Sequence, residues 1–268
     1  MKKWFGFGAL ASAFLLGGCG NEGNDLQQLV VGATPNPHAI ILEWAQPILA
    51  DQGIDLEVIV FTDWTLPNWG VLEGELDANF YQHIPGLNNW NENNGTDLVP
   101  VGAVHVGPIG IYSPHHASLD ELPEGASVIL SSNVPDHGRL LLLLQDEGLI
   151  QLDPQVDPME ARVYHIIDNP KNLDFQPYVE PGMLMQAYRH GEGDIILINT
   201  NFALDGGLNP KQDALALEGA HSPFANEVVV QAGNEDNPLI LALVEVLQSP
   251  EAVQFIWDYF DGAIIPVN

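Results

Sequence analysis

Residues 29–61 read LVVGATPNPHAIILEWAQPILADQGIDLEVIVF, and this stretch decides the fold class. It begins with a short apolar run at 29–32, which predicts a strand. A helical pattern interrupted by Pro47 follows at 38–52, and a second β-branched run follows at 56–61. Strand, helix and strand in this order predict an α/β unit with parallel strands.

The same alternation continues along the chain. Further strands are predicted at 98–104, 127–130, 162–166, 194–198 and 227–230. Further helices are predicted at 68–73, 83–93, 138–148, 182–190, 238–248 and 250–260. Several apolar runs are continuous rather than alternating, as in strands that are buried on both faces. The sequence therefore predicts an α/β fold with a parallel-rich sheet.

Polar and aromatic groups follow many of these runs. Ligands of open α/β sheets bind beyond the carboxyl ends of the strands, so these groups are expected to meet at one rim. They comprise Thr34 to His38, Thr62-Asp63-Trp64, Tyr81-Gln82-His83, His105, Ser131-Ser132-Asn133 and Asn199-Thr200-Asn201.

The N-terminus has the pattern of an export signal. Lys2 and Lys3 precede an uncharged run at 4–16, which is shorter than the roughly 20 apolar residues of a membrane-spanning helix. The run ends in Leu16-Gly17-Gly18-Cys19, which resembles the lipobox of bacterial lipoproteins, and Cys19 is the only cysteine of the chain. We predict a signal peptide at 1–18, lipid on Cys19, and a lipidated tether at 19–25.

Charge excludes one class of function. The chain has 36 acidic residues and 7 lysines and arginines, for a formal net charge of −29. Such a surface repels nucleic acid, whose binding depends on Lys and Arg, so no nucleic-acid partner is expected. The acids are spread along the chain, as is typical of a highly soluble surface.

Arg139 is notable because cations are so scarce. It lies in the first turn of the helix predicted at 138–148, where its charge opposes the helix dipole and requires a negative partner. A bound carboxylate would serve, and so would a surface pair with one of the 36 acids. The position alone leaves both interpretations open.

Taken together, successive segments resemble the methionine-binding lipoprotein (NlpA) family over nearly the whole mature chain. The order and spacing of the segments carry the resemblance more than any one of them. They are Val31-Gly32, Pro37-His38-Ala39, Phe61-Thr62-Asp63-Trp64, Pro67-Asn68, Leu76 to His83, Leu119 to Gly125, Gly138-Arg139, Asp168 to Leu173, Ile198 to Ala203 and Ser222 to Asn226.

The resemblance implies a two-lobed fold like that of type II periplasmic binding proteins, with ligand held in a cleft between the lobes. We place lobe I at 26–112 and 222–268, and lobe II at 113–221. The implied function is capture of L-methionine or a closely related amino acid for an ATP-driven importer, without enzymatic activity and without a cofactor. The implied partners are the ABC permease and its ATPase, and the membrane through Cys19, with the domain in the periplasm or on the outer face.

Site residues follow from the same resemblance. It implies that Arg139 binds the α-carboxylate and that Asn199 and Asn226 bind the polar end of the ligand. The predicted lining of the side-chain pocket comprises Trp64, His83, His105 and Phe224. Two segments depart from the family pattern, namely Ser132 to Asp136 and His105-Val106-Gly107-Pro108. Histidine at 105 and glycine at 107, where the family has aromatic residues, predict a roomier and more polar wall.

Other ligands and functions therefore stay open. A dipeptide or a more polar amino acid would suit a roomier site. Zinc is another alternative, because His38, His83 and His105 all follow strand-like runs, although they lack tight metal-ligand spacing. The chain shows no nucleophile elbow, phosphate-binding glycine loop or zinc-protease motif that would indicate an enzyme. A purely structural surface protein would have no use for the convergent rim.

Overall fold

A computed structural model describes residues 26–219 and 224–267. The predicted signal peptide, the tether and Cys19 lie outside the described residues. The strands are β1 Gln27–Ala33, β2 Ile54–Val60, β3 Ala78–His83, β4 Leu98–Val106, β5 Gly110–Tyr112, β6 Ser127–Ser131, β7 Gln151–Leu152, β8 Ile166–Asp168, β9 Asp174–Val179, β10 Ile195–Ile198, β11 Ala216–Leu217, β12 Ala225–Gln231 and β13 Ile265–Pro266. The α-helices are α1 Ile40–Asp51, α2 Leu66–Leu72, α3 Ile84–Asn94, α4 His137–Asp146, α5 Leu184–His190, α6 Thr200–Asp205, α7 Pro210–Asp213, α8 Pro238–Leu247 and α9 Pro250–Phe260.

Two sheets organise these elements. The first has the strand order β13-β4-β12-β3-β1-β2, and β1 is parallel to both of its neighbours, whereas β12 is antiparallel to β3 and β4. The second has the order β11-β5-β10-β6-β9, with β6 parallel to β10 and β9. The predicted two-lobed α/β fold is confirmed, with sheets that are mixed rather than uniformly parallel.

Helices cover both faces of each sheet, which explains the continuous apolar runs. In the first sheet, one core packs β1 and β12 against α1, α8 and α9, and a smaller core lies under α2 and α3. In the second sheet, α4 covers one face and α5 covers the other. All four residues of β10 are fully buried. A strand enclosed on both faces has no side that tolerates polar residues.

The chain changes sheet between β4 and β5 and again between β11 and β12. Residues 110–112 pair in the second sheet, so the first change lies between Val106 and Gly110, slightly before the predicted boundary at 112. The second predicted boundary, at 221–222, lies outside the described residues. The division into lobe I and lobe II stays a prediction.

Two elements differ from their prediction. Helix α1 runs through Pro47 without a break, because Ile41, Leu42 and Leu49 on one helix face are fully buried. The strand predicted at 162–166 is a 3₁₀ turn, Val163–His165, followed by β8. There the Arg162 guanidinium donates to the carbonyls of Glu160 and Ala161, and such local side-chain bonds compete with a sheet ladder.

A helix that crosses a membrane alone needs about 20 predominantly apolar residues. Among the described helices, none alone is long and apolar enough, although α8 and α9 meet the criteria as a pair bent by 53°.

Candidate functional site

A cavity of about 240 Å³ lies between the two sheets, where the strands end. Six of the predicted site residues line it, namely Trp64, His83, His105, Arg139, Asn199 and Asn226. Groups from the ends of strands in both sheets therefore meet at one cavity, which is partly open to solvent. The seventh predicted residue, Phe224, is 1% exposed and packs behind this wall, with the guanidinium carbon of Arg139 4.2 Å from its ring centre.

Arg139 is buried and is held in an ion pair with the partly buried Glu218. Its Nε donates to Glu218 Oε1 at 3.1 Å, its Nη2 donates to Glu218 Oε2, and Nη2 also donates to the Gly107 carbonyl at 3.0 Å. The side chains of the pair are 3% and 14% exposed. A partly buried acid therefore balances the helix-start cation. Within 26–219 and 224–267, Nη1 has no hydrogen-bond partner, which leaves this corner of the guanidinium for a ligand.

His38 sets the orientation of Asn226. Burial lowers the pKa of His38 to about 4, against weaker raising effects of its hydrogen bonds to Asn226 and Asn36, so the ring is neutral at pH 7. Its Nε2 donates to Asn226 Oδ1 at 3.0 Å, and its Nδ1 accepts from the Thr34 hydroxyl at 2.7 Å. With its oxygen used in this way, Asn226 presents its Nδ2 donor to the cavity.

Asp136 lies behind the cavity wall, on the side formed by the second sheet. Its carboxylate is fully buried and accepts from His83 Nε2 at 3.1 Å, Asn133 Nδ2 at 2.8 Å and Asn199 Nδ2 at 3.1 Å. Burial alone would raise the pKa of Asp136. The hydrogen bond from His83 and the positive charge of Arg139 outweigh burial and lower that pKa below its ordinary value. Asp136 is therefore ionised at neutral pH, where its carboxylate only accepts hydrogen bonds.

Asn199 and His83 are both oriented by this carboxylate. Because Asn199 donates its Nδ2 to Asp136, its Oδ1 is left as a buried acceptor with no partner in the described part of the chain. His83 caps the start of α3, where its Nδ1 accepts from the Gly86 amide at 3.0 Å. In this arrangement His83 donates from Nε2 to Asp136, and this hydrogen bond links the two lobes.

His105 lies deep in the wall, with its ring centre 5.0 Å from that of His38 and 5.5 Å from that of Phe80. Burial and the nearby His38 lower its pKa well below the ordinary value, so the ring is neutral. His105 and Gly107 both line the cavity, and a Cβ placed on Gly107 would lie 3.4 Å from Thr200 Cβ, in ordinary contact. The roomier and more polar wall predicted from these two positions stays a prediction.

Trp64 closes the cavity against the other lobe. Its ring stacks on that of Phe202, with 5.0 Å between centroids, and its carbonyl accepts from the Tyr81 hydroxyl at 2.8 Å. Beneath it, Asn68, Asn79 and Gln82 form a buried amide network with bonds of 2.6 to 3.3 Å. This network fixes α2 on β3 and so holds the Trp64 end of the cavity in place.

The zinc hypothesis gains no ligand set here. No group of three or more His, Cys, Asp or Glu side chains suited to a metal occurs among the residues that the structure describes. Both ring nitrogens of His38 and both of His83 already have partners in the fold.

Sequence reasoning did not identify Asp136 or Glu218 as site residues. Glu218 is 79 positions from Arg139, and one acid among 36 carries no local signal of such a pairing. Asp136 directly precedes the helix of Arg139, so the helix-dipole argument that singled out Arg139 also applied to it.

The chain is similar to known proteins both in sequence and in structure. The chain is 43% identical to the methionine-binding lipoprotein MetQ of Bacillus subtilis, with 100% of both chains covered. It is 34% identical to the D-methionine-binding lipoprotein MetQ of Escherichia coli, covering 98% of this chain and 97% of that one. A nutrient binding protein from Burkholderia cenocepacia, solved bound to methionine, matches with a TM-score of 0.83 at 34% identity, over 90% of this chain and 100% of that chain.

The family described as NlpA lipoprotein matches residues 29–268, which includes both sheets and the cavity between them. The chain belongs to the NlpA lipoprotein family.

Proposed function

We propose that this chain captures free L-methionine, or a closely related amino acid, in the cavity and delivers it to an ATP-driven importer. The observation that carries the proposal is the polarity of the site. Arg139 Nη1 and Asn226 Nδ2 offer donors for a carboxylate, and Asn199 Oδ1 offers an acceptor for an ammonium group. Both ends of an α-amino acid thus find complementary partners.

Charge favours a zwitterion over an anion. Glu218 already neutralises Arg139, and Asp136 adds a further buried negative charge near the cavity. A ligand with a net negative charge would be repelled by this surplus. A zwitterion brings no net charge and pairs its ammonium group with the acidic side of the site.

The rest of the lining suits a thioether. Trp64, Tyr81 and Trp90 contribute aromatic surface, and a flexible, polarisable methionine side chain makes favourable contacts with aromatic rings. The methionine seen with the Burkholderia cenocepacia protein and the names of the relatives support the same ligand.

A dipeptide or a more polar amino acid is the second candidate. Eight of the 21 described residues that line the cavity are asparagines, among them Asn89, Asn93 and Asn94 on α3. Amide side chains of this kind pair readily with the peptide group of a longer ligand.

The cellular setting is part of the proposal. Removal of residues 1–18 and lipid on Cys19 would tether the domain to the membrane, beside the permease and ATPase that accept the ligand. The lipoprotein names of the relatives support this arrangement. In this proposal the cleft binds and releases a solute and catalyses no chemical reaction.

Isothermal titration tests the proposal. The purified chain, in detergent micelles and stripped of ligand by unfolding and refolding, is titrated with L-methionine, other amino acids, dipeptides and Zn²⁺. We expect L-methionine to bind with a submicromolar Kd, about −8 kcal/mol or stronger. Binding of a dipeptide instead would favour the second candidate, and binding of Zn²⁺ alone would contradict the amino-acid site.

A further inference from the structure

We infer that Asp136 is a positioning residue, which fixes the amide of Asn199 with its oxygen toward the cavity and so makes the site selective for ligands that carry an ammonium group. The inference rests on the proposed function and deepens it. Asp136 is not among the cavity-lining residues, so its effect on the ligand would pass through Asn199.

The geometry of the carboxylate carries the argument. An ionised carboxylate only accepts hydrogen bonds, and Asp136 Oδ2 receives Asn199 Nδ2 at 3.1 Å and Asn133 Nδ2 at 2.8 Å. If the Asn199 amide were reversed, its oxygen would face the carboxylate oxygen and the two acceptors would repel each other. Asp136 therefore permits one orientation of Asn199.

The consequence appears on the other side of the same amide. Asn199 is 8% exposed and lines the cavity, and its Oδ1 is buried with no partner within the described ranges. A buried acceptor is costly unless a donor reaches it, so this atom rejects a ligand that has no N–H to offer. The negative charge behind the amide adds attraction for a cation.

Closure of the lobes is linked to this orientation. His83, at the end of β3, donates from the other lobe to Asp136 Oδ1 at 3.1 Å. The contact holds the carboxylate in place only when the lobes are together. The ammonium-binding atom is thus aligned in the same state that encloses the ligand.

Asp136→Asn would remove this control. An amide is nearly isosteric with the carboxylate but offers both a donor and an acceptor, so Asn199 is free to turn either way. The charge behind Asn199 is lost as well. Selectivity for the ammonium group should fall while the cavity keeps its shape.

The test compares two ligands on the full-length chain in detergent micelles, by isothermal titration. One ligand is L-methionine, and the other is 4-(methylthio)butanoate, which lacks only the amino group. We expect the wild type to prefer L-methionine, and Asp136→Asn to reduce that preference by about tenfold or more, because hydrogen bonds to charged groups carry that much discrimination. The affinity for 4-(methylthio)butanoate should not fall, and it should rise if anything, because this ligand is an anion and the substitution removes a buried negative charge near the cavity.

A matched control distinguishes this effect from general damage. Asp194 is also a carboxylate paired with a histidine, His116 Nε2 at 3.0 Å, and it does not line the cavity. Asp194→Asn should leave both affinities unchanged. Asn199→Ala should also reduce the preference, and adding Asp136→Asn to it should cost less than Asp136→Asn costs in the wild type, because only the through-space charge of Asp136 is then left to lose.

Three outcomes would overturn the inference. In the first, Asp136→Asn weakens both ligands in proportion, which is the result of a merely structural role. In the second, Asn199→Ala keeps the preference, which matters if Asp136→Asn fails to fold. In the third, the wild type binds no methionine, and then the proposed function falls as well, whereas the first two outcomes leave it intact.

Discussion

At the scale of single residues, the site depends on buried charges that the protein itself balances. Glu218 takes two of the hydrogen bonds of Arg139, and Asp136 takes three donors of its own. Replacing one member of such a pair leaves the other charge buried and unpaired, which costs roughly 3–5 kcal/mol when both are fully buried. Stability and ligand affinity are therefore coupled at Arg139.

Glu218→Gln tests the ion pair. The amide keeps the size of the side chain but removes the charge that balances Arg139, so we expect the free energy of unfolding to fall by about 2 kcal/mol. Urea unfolding measures it. Glu192→Gln is the control, because its pair with His190 is 3.6 Å long and mostly exposed. Equal midpoints for the two variants would contradict the role of the buried pair.

Arg139→Ala should reduce both binding and stability. We expect L-methionine affinity to fall by roughly 2–5 kcal/mol, because a buried partner of the carboxylate is removed. The unpaired Glu218 should also lower the urea midpoint, so a folding loss accompanies the binding loss. Titration and urea unfolding of the same sample separate the two effects. A variant that binds as tightly as the wild type would refute the assigned carboxylate site.

His38 makes stability depend on pH. Its pKa is about 4 in the folded protein and near the ordinary 6.5 when unfolded, so below pH 6.5 the unfolded state takes up a proton that the folded state does not. Stability should therefore fall as pH drops from about 6.5 to 4, by about 3 kcal/mol from this residue alone. Urea unfolding at several pH values should give a shallower slope for His38→Gln. Identical slopes would show that His38 does not carry the effect.

At the scale of elements, apolar burial decides more than local propensity. Helix α1 passes through the exposed Pro47 because its opposite face is in the core. The turn at Val163–His165 shows the reverse case, since Arg162 satisfies nearby carbonyls and no strand forms. Periodicity predicted the elements with a buried face well. It failed where one side chain, rather than a pattern, sets the backbone.

Pro47→Ala should stabilise the protein. A proline inside a helix lacks the amide hydrogen and crowds the preceding turn, at a cost of about 3 kcal/mol, so we expect a gain of about 1–3 kcal/mol in the free energy of unfolding. Pro238, also exposed, begins α8, where its amide would have no helical partner. Pro238→Ala should change little by the same urea measurement. An equal effect for both substitutions would contradict the cost assigned to Pro47.

At the scale of the whole molecule, the two lobes touch across the ligand cavity. His83 bonds to Asp136, Trp64 stacks on Phe202, and Asn36 Nδ2 donates to Asp205 Oδ1 at 2.7 Å. A solute enclosed between such contacts is shielded from water, which strengthens its electrostatic interactions.

The sequence predicted the architecture and most of the cavity wall, because strand ends and family-like segments are local features. It could not predict that Glu218 meets Arg139, or that Phe224 supports the wall from behind. Those contacts depend on how chain segments far apart in sequence pack together.

The crystal structure of the chain with L-methionine tests the central claim most directly, since the claim concerns which atoms meet the ligand. We predict the ligand carboxylate within hydrogen-bond distance of Arg139 Nη1 and Asn226 Nδ2, and the ammonium group within that distance of Asn199 Oδ1. Methionine bound in the reverse orientation, or outside the cavity with Asn199 Oδ1 still unpartnered, would contradict the account.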